Sequence, residues 1–96
     1  MIVYTTTKNE KEATKIAKAL IENKLVACVN IVPKIKSVFR WKGKINEESE
    51  ALLLAKTSKR KFKMIEKKIK ELHSYKLPAI ITIKFNGNKE FLKWVE

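Results

Sequence analysis

Residues 26–57 read VACVNIVPKIKSVFRWKGKINEESEALLLAKT, and most of the architecture follows from this segment. Its alternation of apolar and other residues predicts two long β-strands joined by a turn at residues 42–44. Pro33 interrupts the first strand, and a proline is tolerated there only at an edge or a bulge, so we expect a kink near it. Sixteen residues of strand would extend roughly 50 Å, whereas a compact chain of this length is only about 32 Å across. The hairpin is therefore predicted to overhang the rest of the domain.

Two amphipathic helices are predicted on either side of this hairpin. The first begins at Asn9, whose spacing to Glu12 is that of a capping box, and we expect it to end at Asn23 in a left-handed conformation. The second begins at Ser58, which can cap it. The predicted inward stripes are Ala13, Ile16, Ala17, Leu20 and Ile21 in the first helix and Phe62, Ile65, Ile69 and Leu72 in the second.

The remaining sequence completes a β-α-β-β-α-β order. Ile2–Thr7 and Leu77–Phe85 are typical of strands, and Lys89–Val95 of a short C-terminal helix. The predicted fold class is therefore α+β, a ferredoxin-like sandwich with a long central hairpin, formed by residues 1–96 as a single domain. Both helices would cover one face of the sheet, yet residues 51–55 are apolar on both faces of their strand. The uncovered face predicts a homo-oligomer.

The charge and composition exclude several classes of protein. The chain carries 22 Lys and Arg against 10 Asp and Glu, a net charge of +12 that would attract any polyanion without specifying one. The third strand offers no aromatic residue for base stacking, so a nucleic-acid partner is not expected. The apolar runs are too short to span a membrane, and Met1–Tyr4 lacks the features of a signal peptide. With a single cysteine, Cys28, the chain fits a reducing cytoplasm.

Few residues could carry chemistry. No catalytic triad, metalloprotease motif or phosphate-binding loop occurs, so we predict that the chain is not an enzyme and requires no cofactor. The Cys28 thiol could ligate a soft metal or be a small buried hydrophobe. The His73 imidazole could ligate a metal or complement the end of the second helix. One cysteine and one histidine do not form a zinc site by themselves, so any metal site needs ligands from symmetry copies or carboxylates.

Three other side chains stand out on the hairpin. Glu50 and Lys56 have the same strand parity and point to one face, where they form either an interface ion pair or part of a polar pocket. Trp41, at the hairpin tip, is either an interface anchor or a stacking platform.

Five segments occur together in a specific order: ACVNIVP (27–33), SVFRWKGKI (37–45), LAKT (54–57), HSYKLP (73–78) and FLKW (91–94). In these segments the chain resembles the CutA divalent-cation-tolerance proteins over its whole length. The resemblance implies a homotrimer whose hairpins extend onto neighbouring subunits and whose sheets pack inward. It also implies a link to tolerance of copper or another divalent cation; the alternative is a trimeric module similar to PII signalling proteins that binds an anionic small ligand.

The resemblance also assigns roles to individual positions. It implies metal ligands at Cys28 and His73, and a cleft between subunits whose residues are Trp41, Glu50, Lys56 and Tyr75. The family pattern H-P-Y-x-x-P-E is altered in two places, because Ser74 replaces the proline and Ala79 replaces the glutamate. The second change removes a hard metal ligand.

Overall fold

Four strands form one antiparallel sheet in the order β2-β3-β1-β4 in the computed structural model, which describes residues 1–96. The strands are β1 (Ile2–Thr7), β2 (Cys28–Trp41), β3 (Lys44–Lys56) and β4 (Ile81–Ile83). The helices are α1 (Glu10–Glu22), α2 (Phe62–Leu72) and α3 (Lys89–Val95), and a 3-10 turn at Lys59–Lys61 precedes α2. The predicted mixed α+β class and its element order are confirmed.

The hydrophobic core lies between the sheet and helices α1 and α2. Alternate residues of β1 and β3 face these helices. Among them are Val3 and Ala55, which pair across the two strands and are both fully buried. The helices contribute five fully buried side chains, Ala13, Ile16, Leu20, Ile65 and Ile69. Ile21 was predicted to face inward but is 44% exposed, because it lies at the margin of the apolar stripe, beside the free edge of β2.

The hairpin is long and kinked, as predicted. Register shifts between Val32, which lies opposite Leu52, and Ile35, which lies opposite Glu50. The extra residue of this bulge changes the strand parity and so places Ile35 on the same sheet face as Val32. Lys42 and Gly43 both adopt positive φ at the tip, as a type I′ hairpin turn requires. The molecule measures 45 × 26 × 21 Å, which confirms the overhang.

Three boundaries differ from the sequence predictions. Asn23 is not left-handed (φ −86°), because its side chain donates to the Ala19 carbonyl and the positive φ falls on Lys24 instead. Ser58 precedes a 3-10 turn, in which its carbonyl accepts the Lys61 N–H, and its side chain makes no capping hydrogen bond. The predicted strand at residues 77–85 is paired only over Ile81–Ile83, opposite the first half of β1. No helix is both long and apolar enough to cross a bilayer.

Candidate functional site

The sheet face opposite α1 and α2, here called the open face, is left bare. Val32 is 40% exposed and Ile81 48% exposed, although both are large apolar side chains in paired strands. Strand parity and register place further apolar residues there: Ile2, Tyr4, Ile35, Phe39, Trp41, Leu52, Leu54 and Ile83. A continuous apolar surface of this kind usually marks an interface.

One end of the sheet is enclosed by residues 73–80, which connect α2 to β4 and are here called the strap. Each of its first three residues bonds to a different element. The His73 ring bonds to β1, the Ser74 N–H bonds to Glu12 of α1, and the Tyr75 hydroxyl bonds to Glu50 of β3. The strap thus connects the helix side of the sheet to the open face.

His73 uses both ring nitrogens in this arrangement. Nε2 lies 2.8 Å from the Thr6 carbonyl oxygen, and Nδ1 accepts the Tyr75 N–H at 3.1 Å. Because a carbonyl can only accept and an N–H can only donate, the proton must be on Nε2. A metal ion at either nitrogen would have to displace one of these backbone partners. His73 is also the C-cap residue of α2, where its backbone N–H donates to Ile69.

Tyr75 bonds to a carboxylate that is almost enclosed. Glu50 lies on the open face yet is only 8% exposed, and its Oε2 accepts the Tyr75 hydroxyl at 2.6 Å. Burial, together with the hydrogen bond and the negative charges of Glu50 and nearby Glu48, raises the pKa of Tyr75 well above its ordinary value. Tyr75 therefore remains a hydrogen-bond donor to Glu50 at neutral pH.

Glu12 holds the strap from the helix side. Its Oε1 accepts the Lys8 N–H at 3.0 Å and its Oε2 accepts the Ser74 N–H at 2.8 Å. Burial opposes its ionisation, but hydrogen bonds from Lys8 and Ser74 and the nearby His73 outweigh burial and lower the pKa of Glu12. The predicted capping box is present in part: the Asn9 side chain accepts the Glu12 N–H, whereas the Glu12 carboxylate bonds to Lys8 rather than to Asn9.

The other predicted site residues lie away from the strap. Cys28 is a half-buried free thiol at the start of β2, directly opposite Lys56. Glu50 lies six residues from Lys56 on the same strand, which is roughly 20 Å, so the two do not pair within one chain. Trp41 is 59% exposed at the hairpin tip. The structure therefore brings Glu50, His73 and Tyr75 together and leaves the other three predicted residues apart.

No complete metal site exists within a single chain. Nowhere do three or more histidine, cysteine, aspartate or glutamate side chains come close enough to hold an ion. Sequence reasoning found Glu12 only as a capping residue, because its partner Ser74 is 62 positions away and no local pattern connects them.

These features define a class of protein, the α+β chains with ferredoxin-like topology, an overhanging hairpin and a bare sheet face. Within that class, the family model described as CutA1 divalent ion tolerance protein matches residues 1–96. The chain belongs to this family.

Relatives with solved structures agree with this assignment. The chain is 43% identical to the divalent-cation tolerance protein CutA of Thermus thermophilus over 95 residues, which is 98% of this chain and 92% of that protein. A solved structure of the Thermus protein superposes with a TM-score of 0.94 over 98% of this chain and 92% of that one. The solved structure of the periplasmic divalent cation tolerance protein CutA from Archaeoglobus fulgidus is 44% identical in sequence and has a TM-score of 0.93. The match covers 98% of this chain and 92% of that one.

Other relatives differ in length and compartment. The human protein CutA is 39% identical over 93 residues, which is 96% of this chain but only 52% of that protein. The Arabidopsis thaliana relative is named as chloroplastic. The cytoplasmic location of this chain stays a prediction.

Proposed function

We propose that this protein acts in divalent-cation tolerance as a homotrimer that binds a metal ion in the clefts between its subunits. The observation that carries the proposal is the open face, which is apolar, uncovered and bordered by residues that can bind metals. Membership of a family named for divalent-ion tolerance supports the cation as the ligand. Since one chain offers no complete set of ligands, a site needs more than one subunit.

The candidate ligands differ in chemistry and position. Cys28 supplies a thiol, which suits soft ions such as Cu⁺ and also Zn²⁺, and Glu50 supplies a carboxylate at the other end of the open face. Because these two residues are roughly 20 Å apart along the sheet, only contact with a neighbouring subunit can unite them. In this proposal Trp41, Lys56 and Tyr75 line the cleft. That His73 ligates the ion stays a prediction.

This site can be tested by titrating the protein with zinc in a calorimeter. A parallel titration with Cu⁺ uses a competing chelator. Cys28→Ser and Glu50→Gln are each expected to weaken binding by about tenfold or more, since even changes around a metal's direct ligands cost this much. The particle mass should stay the same in both variants.

Glu47→Gln is the matched control for Glu50→Gln. It makes the same change in charge on the same strand, but Glu47 lies on the opposite sheet face and pairs with the exposed Lys36. If Cys28→Ser and Glu50→Gln both bind zinc and copper as the unchanged protein does, the cleft is not the metal site.

A groove beside α1 favours a second candidate function, the binding of an anionic small ligand. The groove has a volume of about 470 Å³ and contains three lysines, Lys8, Lys11 and Lys15, around the start of α1. Its one carboxylate, Glu12, already accepts two backbone N–H groups.

Thermal unfolding with added phosphate and ATP tests this function, because a ligand that binds only the folded state raises the Tm. ATP is expected to raise the Tm of the unchanged protein, and less so that of Lys11→Gln. Equal shifts in both proteins, or no shift in either, would exclude the groove.

A further inference from the structure

We infer that Glu12 is a positioning residue. By accepting the Ser74 N–H on the helix side of the sheet, Glu12 holds the Tyr75 hydroxyl against the Glu50 carboxylate. It thus fixes the position of that carboxylate in the cleft. The effect on Glu50 rests on the proposed function, which makes Glu50 part of the cation site. The effect on Tyr75 does not.

The order of bonds along the strap carries this inference. His73, Ser74 and Tyr75 are consecutive, so fixing the Ser74 backbone limits where the next side chain can point. The Tyr75 N–H is bonded to His73 and its ring lies 4.7 Å from the imidazole, so the two side chains move as one unit. Ser74 is the link between this unit and α1.

Glu12 is itself held rigidly enough to act as an anchor. Its backbone N–H donates to the Asn9 side chain, and its two carboxylate oxygens each accept a different backbone N–H, from Lys8 and Ser74. A glutamine amide has only one accepting oxygen, so Glu12→Gln must lose one of these bonds and place an NH₂ group against an N–H. Glu12→Asp keeps the charge but is too short to reach both donors.

The anchor depends on the backbone N–H of Ser74. A proline at position 74 would have no N–H and could not donate to Glu12. The bond therefore requires a residue other than proline at position 74, and serine meets this requirement. Ser74→Pro removes the donor, whereas Ser74→Ala keeps it and removes only the hydroxyl.

The first measurement follows the Tyr75 hydrogen bond directly and involves no metal. In protein labelled with ¹³Cζ-tyrosine, Tyr75→Phe identifies the Tyr75 resonance among the two tyrosines. Glu12→Gln and Glu12→Asp are expected to move this resonance toward its position in Glu50→Gln, where the carboxylate partner is absent. Glu10→Gln, in the same first turn of α1, should leave it unchanged. An unmoved Tyr75 resonance in both Glu12 variants would overturn the inference.

The second measurement is a double-mutant cycle in zinc affinity. Glu12→Gln is expected to weaken binding about tenfold in the unchanged protein and in Ser74→Ala, but to have no effect in Ser74→Pro, where no N–H remains to be lost. An equal loss in all three backgrounds would mean that Glu12 acts elsewhere, and the inference would be wrong. If Glu50→Gln itself leaves zinc affinity unchanged, the proposed cation site fails, and the Tyr75 resonance alone then decides the role of Glu12.

Discussion

In high salt, light scattering after size exclusion is expected to give a native particle of about three times the 11.2 kDa chain mass. Leu54→Glu is expected to reduce it to the mass of a single chain. High salt is used because a net charge of +12 per chain would otherwise repel neighbouring subunits, and at 1 M salt such repulsion is screened beyond about 3 Å.

The open face explains why a single substitution should have so large an effect. Leu54 lies on β3 between its neighbours Tyr4 and Asn30, at the centre of that face. In a closed trimer the change places a glutamate in each of three subunits against apolar surface. Burying an unpaired charge costs several kcal/mol for each ion, which exceeds what a leucine side chain contributes by its own burial, about 1.5–3 kcal/mol.

Met64→Glu is the control for this experiment. Met64 is apolar and exposed, but it lies on α2, on the helix side of the sheet, where no subunit contact is proposed. Its variant should keep the full particle mass. A stable monomer of the unchanged protein would contradict both the trimer and the cleft. An unaltered trimer mass in Leu54→Glu would instead contradict the open face as the contact between subunits.

Local sequence patterns predicted most of the fold. Asn9 caps α1, the chain bulges after Pro33, and the turn at residues 42–44 joins the two long strands, because each feature depends on residues close in sequence. The sequence did not indicate which face the hairpin residues beyond the bulge would occupy. Only the paired register showed that Ile35 returns to the face of Val32. The length of β4 likewise depends on its pairing with β1.

The contacts within the candidate site were less predictable, because they too join residues that are far apart in sequence. Family resemblance placed Glu50 and Tyr75 in one cleft, but their direct bond joins residues 25 positions apart. The bond between Glu12 and Ser74 spans 62 positions and has no local signature. Contacts of this kind are set by how the elements pack, so they become visible only in the folded chain.

His73→Ala is expected to lower the free energy of unfolding by about 2–4 kcal/mol, measured by chemical denaturation at constant protein concentration with a chelator present. The change removes the partner of the Thr6 carbonyl and the acceptor of the Tyr75 N–H at once. Since His73 is itself buried, the lost side chain also leaves a cavity. The chelator ensures that no loss of bound metal contributes to the difference.

Two conservative variants distinguish the contributions that the two ring nitrogens of His73 make to stability. His73→Gln can place an amide N–H near the position of Nε2 and keep the bond to Thr6, whereas His73→Asn can place an amide oxygen near Nδ1 and keep the bond from Tyr75. Each should therefore recover part of the stability lost in His73→Ala. If neither recovers any, these two hydrogen bonds are not what His73 contributes.

Zinc affinity in the same three variants decides whether His73 is also a ligand. A histidine that only supports the strap should lose affinity in His73→Ala and regain it in His73→Asn, because the bond that holds Tyr75 is restored there. A histidine that binds the ion should lose affinity to the same extent in all three variants, since an uncharged amide is a poor substitute for an imidazole. With both nitrogens already bonded to the backbone, recovery in His73→Asn is the expected result, and a uniform loss would instead make His73 a direct ligand of the metal.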